Sequence, residues 1–323
     1  MKEFLAGYIS GARVDLARVR EHAEQVEMRD HVSYQSRQFR DFGTILELYK
    51  KKHKREYAAA CFGVAGPVIQ NEVTTTNLPW HIIGKHIEKK FNIPHVKLIN
   101  DIVATAHGLG RLPADRFFTI NVGIKGHPGN VGLIAAGTGL GEALIYAENN
   151  HIHPYASEGG HADFAPGNQL ETELWEFLYS ESGQVEVEDV VSLRGLENIF
   201  TFLVDTQGAG RADWFDNVTD RPAAIIEKGL AGTDETAVRT LDMFIDCCAS
   251  ESANLALKGM TTGGIFLGGL IAPQIITALD KGRFMERFIK RGKMEALLAK
   301  MPIGVIIEEN TALIGAGSVA LTL

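Results

Sequence analysis

A short glycine-rich segment between two apolar stretches is the first candidate for a ligand-binding site. It reads Ala136-Gly137-Thr138-Gly139-Leu140-Gly141. A turn of this composition can aim several backbone N–H groups and one hydroxyl at an anion such as a phosphate. No Gly-Lys-Ser/Thr follows it, and a strand rather than a helix is predicted next, so it is neither a P-loop nor a dinucleotide fingerprint. The alternative is a plain β-hairpin with glycines at positive φ.

Asn100 and Asp101 form the second candidate, because they end an apolar run that predicts a buried strand. In α/β folds, ligands bind at the carboxyl ends of strands. An aspartate at such a position can accept a proton from a substrate hydroxyl. The same pair can equally serve as the N-cap of the following helix.

The third candidate is Glu158-Gly159-Gly160-His161, with Asp163 two residues later. The two glycines let backbone approach a ligand, and the flanking side chains mix donors with acceptors, as a neutral polyol requires. The alternatives are a capped turn with a core histidine, or a metal site that also uses His151 and His153. That histidine spacing is a weak match to a tetrahedral site.

Paired glycines form the fourth candidate, since Gly263-Gly264 and Gly268-Gly269 bracket the apolar stretch Ile265–Leu267. Glycine at both ends of a strand allows a flat ligand such as a nucleobase to lie on the backbone. Close packing of a helix on the sheet explains the same residues.

Composition limits the classes of function. The 323 residues include 34 glycines and carry a net charge of −8, which argues against a nucleic-acid-binding protein. The three cysteines, Cys61, Cys247 and Cys248, provide neither a disulfide framework nor zinc spacing. The N-terminus is too polar for a signal peptide, and no apolar run is long enough to span a membrane. We therefore expect a soluble cytoplasmic protein without membrane or nucleic-acid partners.

Alternating strand-like and helix-like patterns predict an α/β protein that positions these four segments. The turn-rich stretch 109–116 suggests a boundary between two domains. Strands are predicted over 3–9, 13–19, 57–65, 95–100, 117–123, 131–137, 141–147, 264–271 and 303–308. Helices are predicted over 43–53, 79–91, 101–108, 169–182, 186–192, most of 195–260, and 311–322.

Taken in order, the segments resemble the bacterial glucokinase family of the hexokinase/actin-like ATPase superfamily. The resemblance covers nearly the whole chain. It rests on Ala65-Gly66-Pro67, Thr76–Trp80, Leu98–Asp101, Ala136–Gly141, Glu158–Pro166, Gly263–Gly269 and Ile314–Gly317. It implies a two-domain actin-like ATPase (ribonuclease H-like) fold with a cleft between a small and a large domain. The small domain would comprise 1–111 plus 303–323, and the large domain 112–302.

The resemblance also implies roles for individual residues. Asp101 would be the base that takes the proton from the sugar 6-hydroxyl. The other sugar hydroxyls would be held by Asn100, Glu158, His161 and Glu188. ATP, with Mg²⁺, would contact Gly7 and Gly11 in a first phosphate loop, Thr138 and Gly139 in a second, and Gly264, Gly268 and Gly269 at the adenosine.

The first phosphate loop departs from the family pattern, an apolar pair followed by Asp-x-Gly-Gly-Thr. Tyr8 replaces the aspartate, Ser10 the first glycine and Ala12 the threonine. A phenol cannot supply the carboxylate that helps hold Mg²⁺, Ser10 restricts backbone freedom, and Ala12 removes a hydroxyl donor. Because phosphoryl transfer depends on positioning and charge neutralisation, these changes predict weakened catalysis. Arg13, next in line, is either a cation for the phosphates or, equally, a solvated strand residue. Asp15, seven residues along the hairpin, is predicted to lie too far away to replace the carboxylate.

The predicted function is ATP-dependent phosphorylation of glucose by a homodimer. The alternative is a catalytically inactive, glucokinase-like sugar-binding or regulatory protein. An actin-like assembly protein would explain the nucleotide loops but not Glu158–His161. A DNA-binding repressor is disfavoured by the charge and by the lack of a preceding helix-turn-helix.

Overall fold

The computed structural model of the chain describes residues 2–22, 25–75, 78–124, 129–148 and 151–323. The strands in this part of the chain are β1 Phe4–Ile9, β2 Arg13–His22, β3 Gln25–Gln35, β4 Ala59–Val64, β5 Glu72–Thr74, β6 His81–Ile83, β7 Val96–Asn100, β8 Phe117–Asn121, β9 Val131–Ala136, β10 Leu140–Glu148, β11 His151–Ser157, β12 Gly264–Gly269 and β13 Ile303–Ile306. The helices are α1 Phe42–His53, α2 Gly84–Phe91, α3 Asp101–Leu109, α4 Gln169–Ser182, α5 Leu193–Thr206, α6 Asp213–Asn217, α7 Arg221–Ala231, α8 Glu235–Gly259, α9 Ile276–Leu279, α10 Arg283–Ile289, α11 Glu295–Leu298 and α12 Thr311–Ala320.

The chain divides into two compact units. The first unit is Met1–Arg116 with Glu308–Leu323, and the second is Phe117–Ile307. Both boundaries lie a few residues after the predicted ones. Strand β13 accounts for the second difference, because it pairs with β12 and β8 in the sheet of the second unit.

The first unit is built on a five-stranded sheet of order β3-β2-β1-β4-β7. Strands β1, β4 and β7 are parallel, whereas β2 and β3 are antiparallel to their neighbours. All six residues of β4 are buried, as expected of a central strand covered on both faces. One face packs on α1 and the other on α3 and α12. Helices α3 and α12 approach closely because Gly108 and Gly315 lack side chains where backbone of the facing helix lies.

The second unit contains a six-stranded sheet of order β11-β10-β9-β12-β13-β8. Its largest core cluster lies between this sheet and a group of helices centred on α5, α7, α8 and α10. Helix α8 is 25 residues long and follows the N-cap Asp234, whose side chain accepts a hydrogen bond from the amide of Ala237. None of the helices described is long and apolar enough to cross a membrane.

Two predicted helices differ from the structure. The helix predicted over 79–91 begins only at Gly84, because residues 81–83 pair with β5 as strand β6. Trp80 is buried there and its carbonyl accepts a hydrogen bond from the amide of Thr75. The helix predicted over 186–192 is a single 3₁₀ turn, Val187–Asp189. Thr76 and Asn77 of the predicted Thr76–Trp80 block lie outside the described residues.

Candidate active site

The carboxyl ends of three parallel strands bring the first loop and Asn100 to one edge of the first sheet. Ile9 on β1 is in register with Val64 on β4, and Val64 is in register with Asn100 on β7. The segments that follow these strands therefore leave the sheet side by side. In open parallel sheets this edge is where ligands bind.

Asn100 is the N-cap of α3, and it also fixes the loop that follows β4. Its Oδ1 accepts a hydrogen bond from the amide of Ile102 at 2.9 Å, and its Nδ2 donates to the carbonyl of Gly66 at 3.1 Å. Asp101 is the first residue of α3 and is partly buried, with Oδ1 accepting from the amide of Ile102 at 2.9 Å. The capping interpretation and the ligand-site interpretation of this pair are thus compatible.

The first loop is a tight turn from Ser10 to Arg13. The amide of Ser10 donates to the carbonyl of Arg13 at 2.9 Å, and the Ser10 hydroxyl bonds to the same carbonyl at 3.1 Å. None of residues 7–12 has a positive φ. The predicted conformational cost of serine in place of glycine at position 10 is therefore wrong, because this turn needs no left-handed residue.

Gly7, predicted to contact ATP, has a packing role in β1. A Cβ on this residue would lie 2.5 Å from Cδ1 of Phe62 and 2.9 Å from Cδ2 of Leu16, inside the core. Gly11 lies in the turn itself. Direct contact of either residue with ATP stays a prediction.

Asp15 lies directly opposite Tyr8 in the antiparallel pair of β1 and β2. The expectation that Asp15 is too far along the hairpin is therefore wrong, since the turn at residues 10–12 folds β2 back onto β1. The Asp15 carboxylate is buried and already has two partners. Its Oδ2 lies 2.8 Å from Nε of Arg13, and its Oδ1 lies 3.2 Å from Nε2 of His31.

Burial raises the pKa of Tyr8 to about 12, and the negative charge of Asp101 adds to the increase. The phenol is therefore neutral across the physiological range. Position 8 contributes no negative charge to this edge of the sheet, in contrast to the aspartate of the family pattern.

The residues present do not form a magnesium site of their own. No group of three or more His, Cys, Asp or Glu side chains among the described residues could hold a metal ion. At this edge the Asp15 carboxylate is engaged by Arg13 and His31. Mg²⁺ in phosphoryl-transfer sites is usually held by one or two carboxylates, water and the phosphates of the substrate.

In the second unit, Gly137-Thr138-Gly139 connects β9 and β10 as a tight hairpin. The amide of Gly137 donates to the carbonyl of Gly139 at 2.8 Å, and the Thr138 side chain is exposed. Neither glycine has a positive φ, so the expected reason for glycine is wrong for this turn. Gly139 is explained by Glu188, since a Cβ at residue 139 would lie 2.5 Å from the Glu188 carboxylate.

Gly269 lies beside the hairpin, whereas Gly264 does not. Strand β12 runs parallel to β9, and Gly268 and Gly269 are in register with Ala135 and Ala136. Gly269 has φ +83°, and a Cβ there would overlap the carbonyl oxygen of Ala136. Gly264 is at the opposite end of the six-residue strand, where its missing Cβ makes room for the carbonyl of Pro302. The structure therefore does not bring Gly264 together with the other predicted nucleotide contacts.

The turn Glu158–His161 packs against the start of β10. A Cβ on Gly160 would overlap the carbonyl oxygen of Leu140. Glu188 reaches the same place from the 3₁₀ turn Val187–Asp189, where its Oε2 accepts a hydrogen bond from the amide of Leu140 at 2.7 Å. The structure thus brings together the 137–139 hairpin, the 158–161 turn and Glu188.

His161 has a partner that the sequence did not reveal. Its Nδ1 lies 2.7 Å from Oε2 of Glu186, although the side chain itself is about half exposed (54%). This hydrogen bond raises the pKa of His161, and the charges of Glu188 and Glu158 act in the same direction. The imidazole therefore lies among three carboxylates, an arrangement of acceptors and a proton donor suited to a polyhydroxylated ligand.

Glu186 is separated from His161 by 25 residues. The sequence signal for it is the alternation of valine and glutamate in Val185–Asp189, which places Glu186 and Glu188 on the same side. Among the described residues, no group of His, Cys, Asp or Glu side chains supports the alternative of a metal site. The side chain of His151 lies outside the described part of the structure, and His153 is exposed. The three cysteines are buried and free.

The two α/β units and their sheet orders define the class: the fold is that of the actin-like ATPases, which includes sugar kinases. The structure of a glucokinase from an Antarctic psychrotroph has the same fold, with a TM-score of 0.87 and 26% sequence identity over 100% of both chains. A ROK family glucokinase from Streptomyces griseus, solved in complex with glucose and AMPPNP, shares the fold with a TM-score of 0.68 and 19% identity over 99% of this chain and 100% of that one.

The family model described as Glucokinase matches residues 5–323. A glucokinase of Trichormus variabilis is 34% identical over 100% of both chains. The chain therefore belongs to the glucokinase family. The predicted family and fold class are confirmed, and at the level of the family so is the enzyme class, a hexose phosphotransferase.

Proposed function

We propose that this protein transfers the γ-phosphoryl group of ATP to the 6-hydroxyl of glucose. One observation carries the proposal: Asn100 and Asp101 lie at the carboxyl ends of the parallel strands β1, β4 and β7, directly beside the first loop. Membership in the glucokinase family and the glucose and AMPPNP bound to the Streptomyces griseus protein support the choice of substrates.

Asp101 is the proposed general base. It takes the proton of the 6-hydroxyl while the hydroxyl oxygen forms a bond to the γ-phosphorus, and the bond from that phosphorus to the β-phosphate oxygen breaks to release ADP. The hydrogen bond from the amide of Ile102 orients the carboxylate. Asn100 is the proposed partner of a neighbouring sugar hydroxyl, and its hydrogen bond to Gly66 fixes its position.

Glu158, His161 and Glu188 are the proposed partners of the remaining sugar hydroxyls. The hydrogen bond that His161 Nδ1 donates to Glu186 orients the His161 ring, and the amide of Leu140 orients Glu188 by donating to its carboxylate. The 137–139 hairpin, with the exposed Thr138 hydroxyl, is the proposed phosphate contact, and Gly268 and Gly269 beside it are the proposed adenosine contact. Magnesium is proposed to arrive as part of the substrate, as the magnesium complex of ATP.

A coupled assay of ADP formation from ATP and glucose tests this proposal. We expect measurable turnover by the wild-type chain and about a 10²–10⁴-fold loss in Asp101→Asn, since a positioned base contributes on this scale. The asparagine Oδ1 still accepts from the amide of Ile102, so glucose binding measured by calorimetry should persist. Asp213→Asn, at an exposed aspartate that begins α6, is the matched control and should keep wild-type turnover.

A second candidate function is supported by the first loop. Tyr8 contributes no negative charge, Asp15 is engaged by Arg13 and His31, and Ala12 has no hydroxyl. These features favour a glucose-binding protein that no longer transfers phosphate. Glucose binding without ADP formation at any enzyme concentration would favour this second function over the first.

We also propose that the protein acts as a homodimer in the cytoplasm. The edge strand β11 and its neighbour β10 expose the apolar side chains of Tyr146, Ile152 and Tyr155, which supports association through this edge. Light scattering coupled to size-exclusion chromatography measures the mass. The proposed use of ATP as donor favours the cytoplasm, which cell fractionation tests.

A further inference from the structure

Glu142 is a buried carboxylate that the proposed reaction does not use. It lies on β10 and is only 3% exposed. Its Oε1 is buried without a hydrogen-bond partner in the described part of the chain. Burying a carboxylate without a cation or a donor is costly, so such a group in a folded protein calls for a reason.

The Glu142 side chain lies directly beneath the turn Glu158–His161. Its cross-strand partner is Ser157, whose hydroxyl donates to the Glu142 carbonyl at 3.3 Å and accepts from the amide of Gly159 at 3.1 Å. A Cβ on Gly159 would overlap Oε2 of Glu142. The carboxyl group therefore fills the space that a side chain at residue 159 would take.

The groups around Glu142 keep it in the neutral form. Burial is the main cause that raises the pKa of Glu142 to about 8, and the charge of Glu251 on α8 raises it further. Lys258, also on α8, acts in the opposite direction. The β9 partner Ile134 and the β11 partner Ser157 carry no charge, and the turn presents Gly159, which has no side chain.

Glu251 and Cys248 are the other titratable groups on this side of α8. Burial raises the pKa of Glu251. The hydrogen bond that Asn254 donates to Glu251 lowers this pKa, as do the positive charges of Lys258 and Arg291. Burial raises the pKa of Cys248 to about 12, which keeps the thiol neutral. Near neutral pH the cluster thus places a neutral Glu142 beside a second buried carboxyl group, that of Glu251.

We propose that Glu142 is a positioning residue for sugar binding: in its neutral form it supports the turn Glu158–His161, and its ionisation in alkaline solution displaces the turn and weakens glucose binding. The inference rests on the proposed sugar-binding role of this turn. An ionised Glu142 must gain water. Strand β9 and helix α8 pack in the core, whereas the turn carries the exposed Glu158 and His161. We therefore expect the turn Glu158–His161, rather than β9 or α8, to move when Glu142 ionises.

Calorimetric titration with glucose between pH 6.5 and 9 tests the proposal on the full-length protein. If only the neutral form binds, the wild-type dissociation constant should be about tenfold higher at pH 9 than at pH 7, since the apparent affinity falls with the competent fraction. Glu142→Gln has the same shape and no charge, so its dissociation constant should match the wild type at pH 7 and rise far less at pH 9, where only the titration of His161 remains. An alkaline weakening as large in Glu142→Gln as in the wild type would overturn the proposal.

Glu251→Gln gives a second test that leaves Glu142 intact. Removal of the neighbouring charge makes Glu142 easier to ionise, so the weakening should begin at lower pH than in the wild type. An unchanged midpoint would reject the inference even where Glu142→Gln fails to fold. The wild-type titration distinguishes a failure of this inference from a failure of the proposed function. If the wild type binds no glucose at any pH, the proposed function is rejected and this inference with it.

Discussion

Tyr8 and Asp15 face each other across the antiparallel pair of β1 and β2, although seven positions separate them in the sequence. Directly opposed residues of such a pair have their side chains on the same face of the sheet. The loop thus lacks the carboxylate of the family pattern at residue 8, while a carboxylate lies beside that position, ion-paired with Arg13 and in contact with His31. The first loop differs from the family pattern in where its charge lies as well as in which residues it contains.

This relationship predicts which reversions recover activity in the first loop. We expect Tyr8→Asp combined with Ala12→Thr to raise kcat by about 10²-fold or more, by analogy with the contribution of one lost transition-state donor. Adding Ser10→Gly should bring no further gain, because no residue of the turn has a positive φ. It should instead lower stability, since the Ser10 hydroxyl accepts from the Arg13 amide at 3.2 Å and donates to its carbonyl at 3.1 Å. Steady-state kinetics of the double and triple variants tests this prediction. A clear increase in kcat on adding Ser10→Gly would contradict it.

Tyr8→Asp alone should destabilise the unliganded protein. It places a partly buried carboxylate beside Asp15 and Asp101. A buried polar group left without a partner costs about 1–3 kcal/mol, and more when it carries a charge. Burial and these neighbours raise the pKa of the new carboxyl above its unfolded value near 3.9, so the penalty grows as the pH rises above about 4. Urea unfolding at pH 4 and pH 7.5 measures this. Tyr8→Phe, which adds no charge, should show no such pH dependence.

Asn100 serves both the start of α3 and the loop after β4, and two substitutions separate these roles. Asn100→Ala should lower the free energy of unfolding by about 0.5–2 kcal/mol through loss of the cap. Asn100→Ser keeps an acceptor for the amide of Ile102 but not the donor to Gly66. We expect the serine variant to recover stability and still bind glucose weakly. Urea unfolding and calorimetry on both variants measure the two effects, and full recovery of glucose affinity in Asn100→Ser would show that the Gly66 contact is dispensable.

Gly269 tests the link between β12 and the phosphate hairpin. It has a positive φ and no room for a Cβ, because the carbonyl of Ala136 occupies that space. Gly232 also has a positive φ, +67°, but nothing lies within 4 Å of its Cβ position. Gly232→Ala should therefore lower the free energy of unfolding only by the cost of a left-handed backbone conformation, about 1–2 kcal/mol. Gly269→Ala should lower the free energy of unfolding further and raise the KM for ATP. Thermal unfolding and steady-state kinetics measure these two effects. Equal costs would mean that the backbone at Ala136 relaxes freely.

Local patterns were sufficient to predict the elements that carry the site. The hairpin of β1 and β2, the strand that ends at Asn100, and the turn at 137–139 all follow from apolar runs ended by glycine or polar residues. Strands β3, β5, β6 and β11 were not predicted. Val26, Met28, Val32 and Tyr34 do alternate in β3, but polar residues dominate it, and Pro154 interrupts β11 in a way that only an edge strand tolerates.

What the sequence could not give was the set of long-range contacts. The start of α2 at Gly84 depends on pairing of residues 81–83 with β5. The role of Glu142 depends on the turn above it and on α8 behind it. Such contacts join segments far apart in the chain, and neither composition nor periodicity records them.

The pair His161 and Glu186 gives a prediction with a defined sign. The hydrogen bond to Glu186 is the main cause of the raised pKa of His161, so Glu186→Gln should lower that pKa, as an NMR titration of the imidazole would show. A histidine whose pKa is raised in the folded state adds stability that is complete below its unfolded pKa, near 6.5, and is lost as the pH rises through the folded value. Glu186→Gln should therefore destabilise the protein at pH 6 and have little effect at pH 9. In a His161→Gln background the same substitution should show no pH-dependent effect, because the titrating partner is gone. An imidazole pKa unmoved by Glu186→Gln would mean that the charges of Glu158 and Glu188, rather than the hydrogen bond, control the ring.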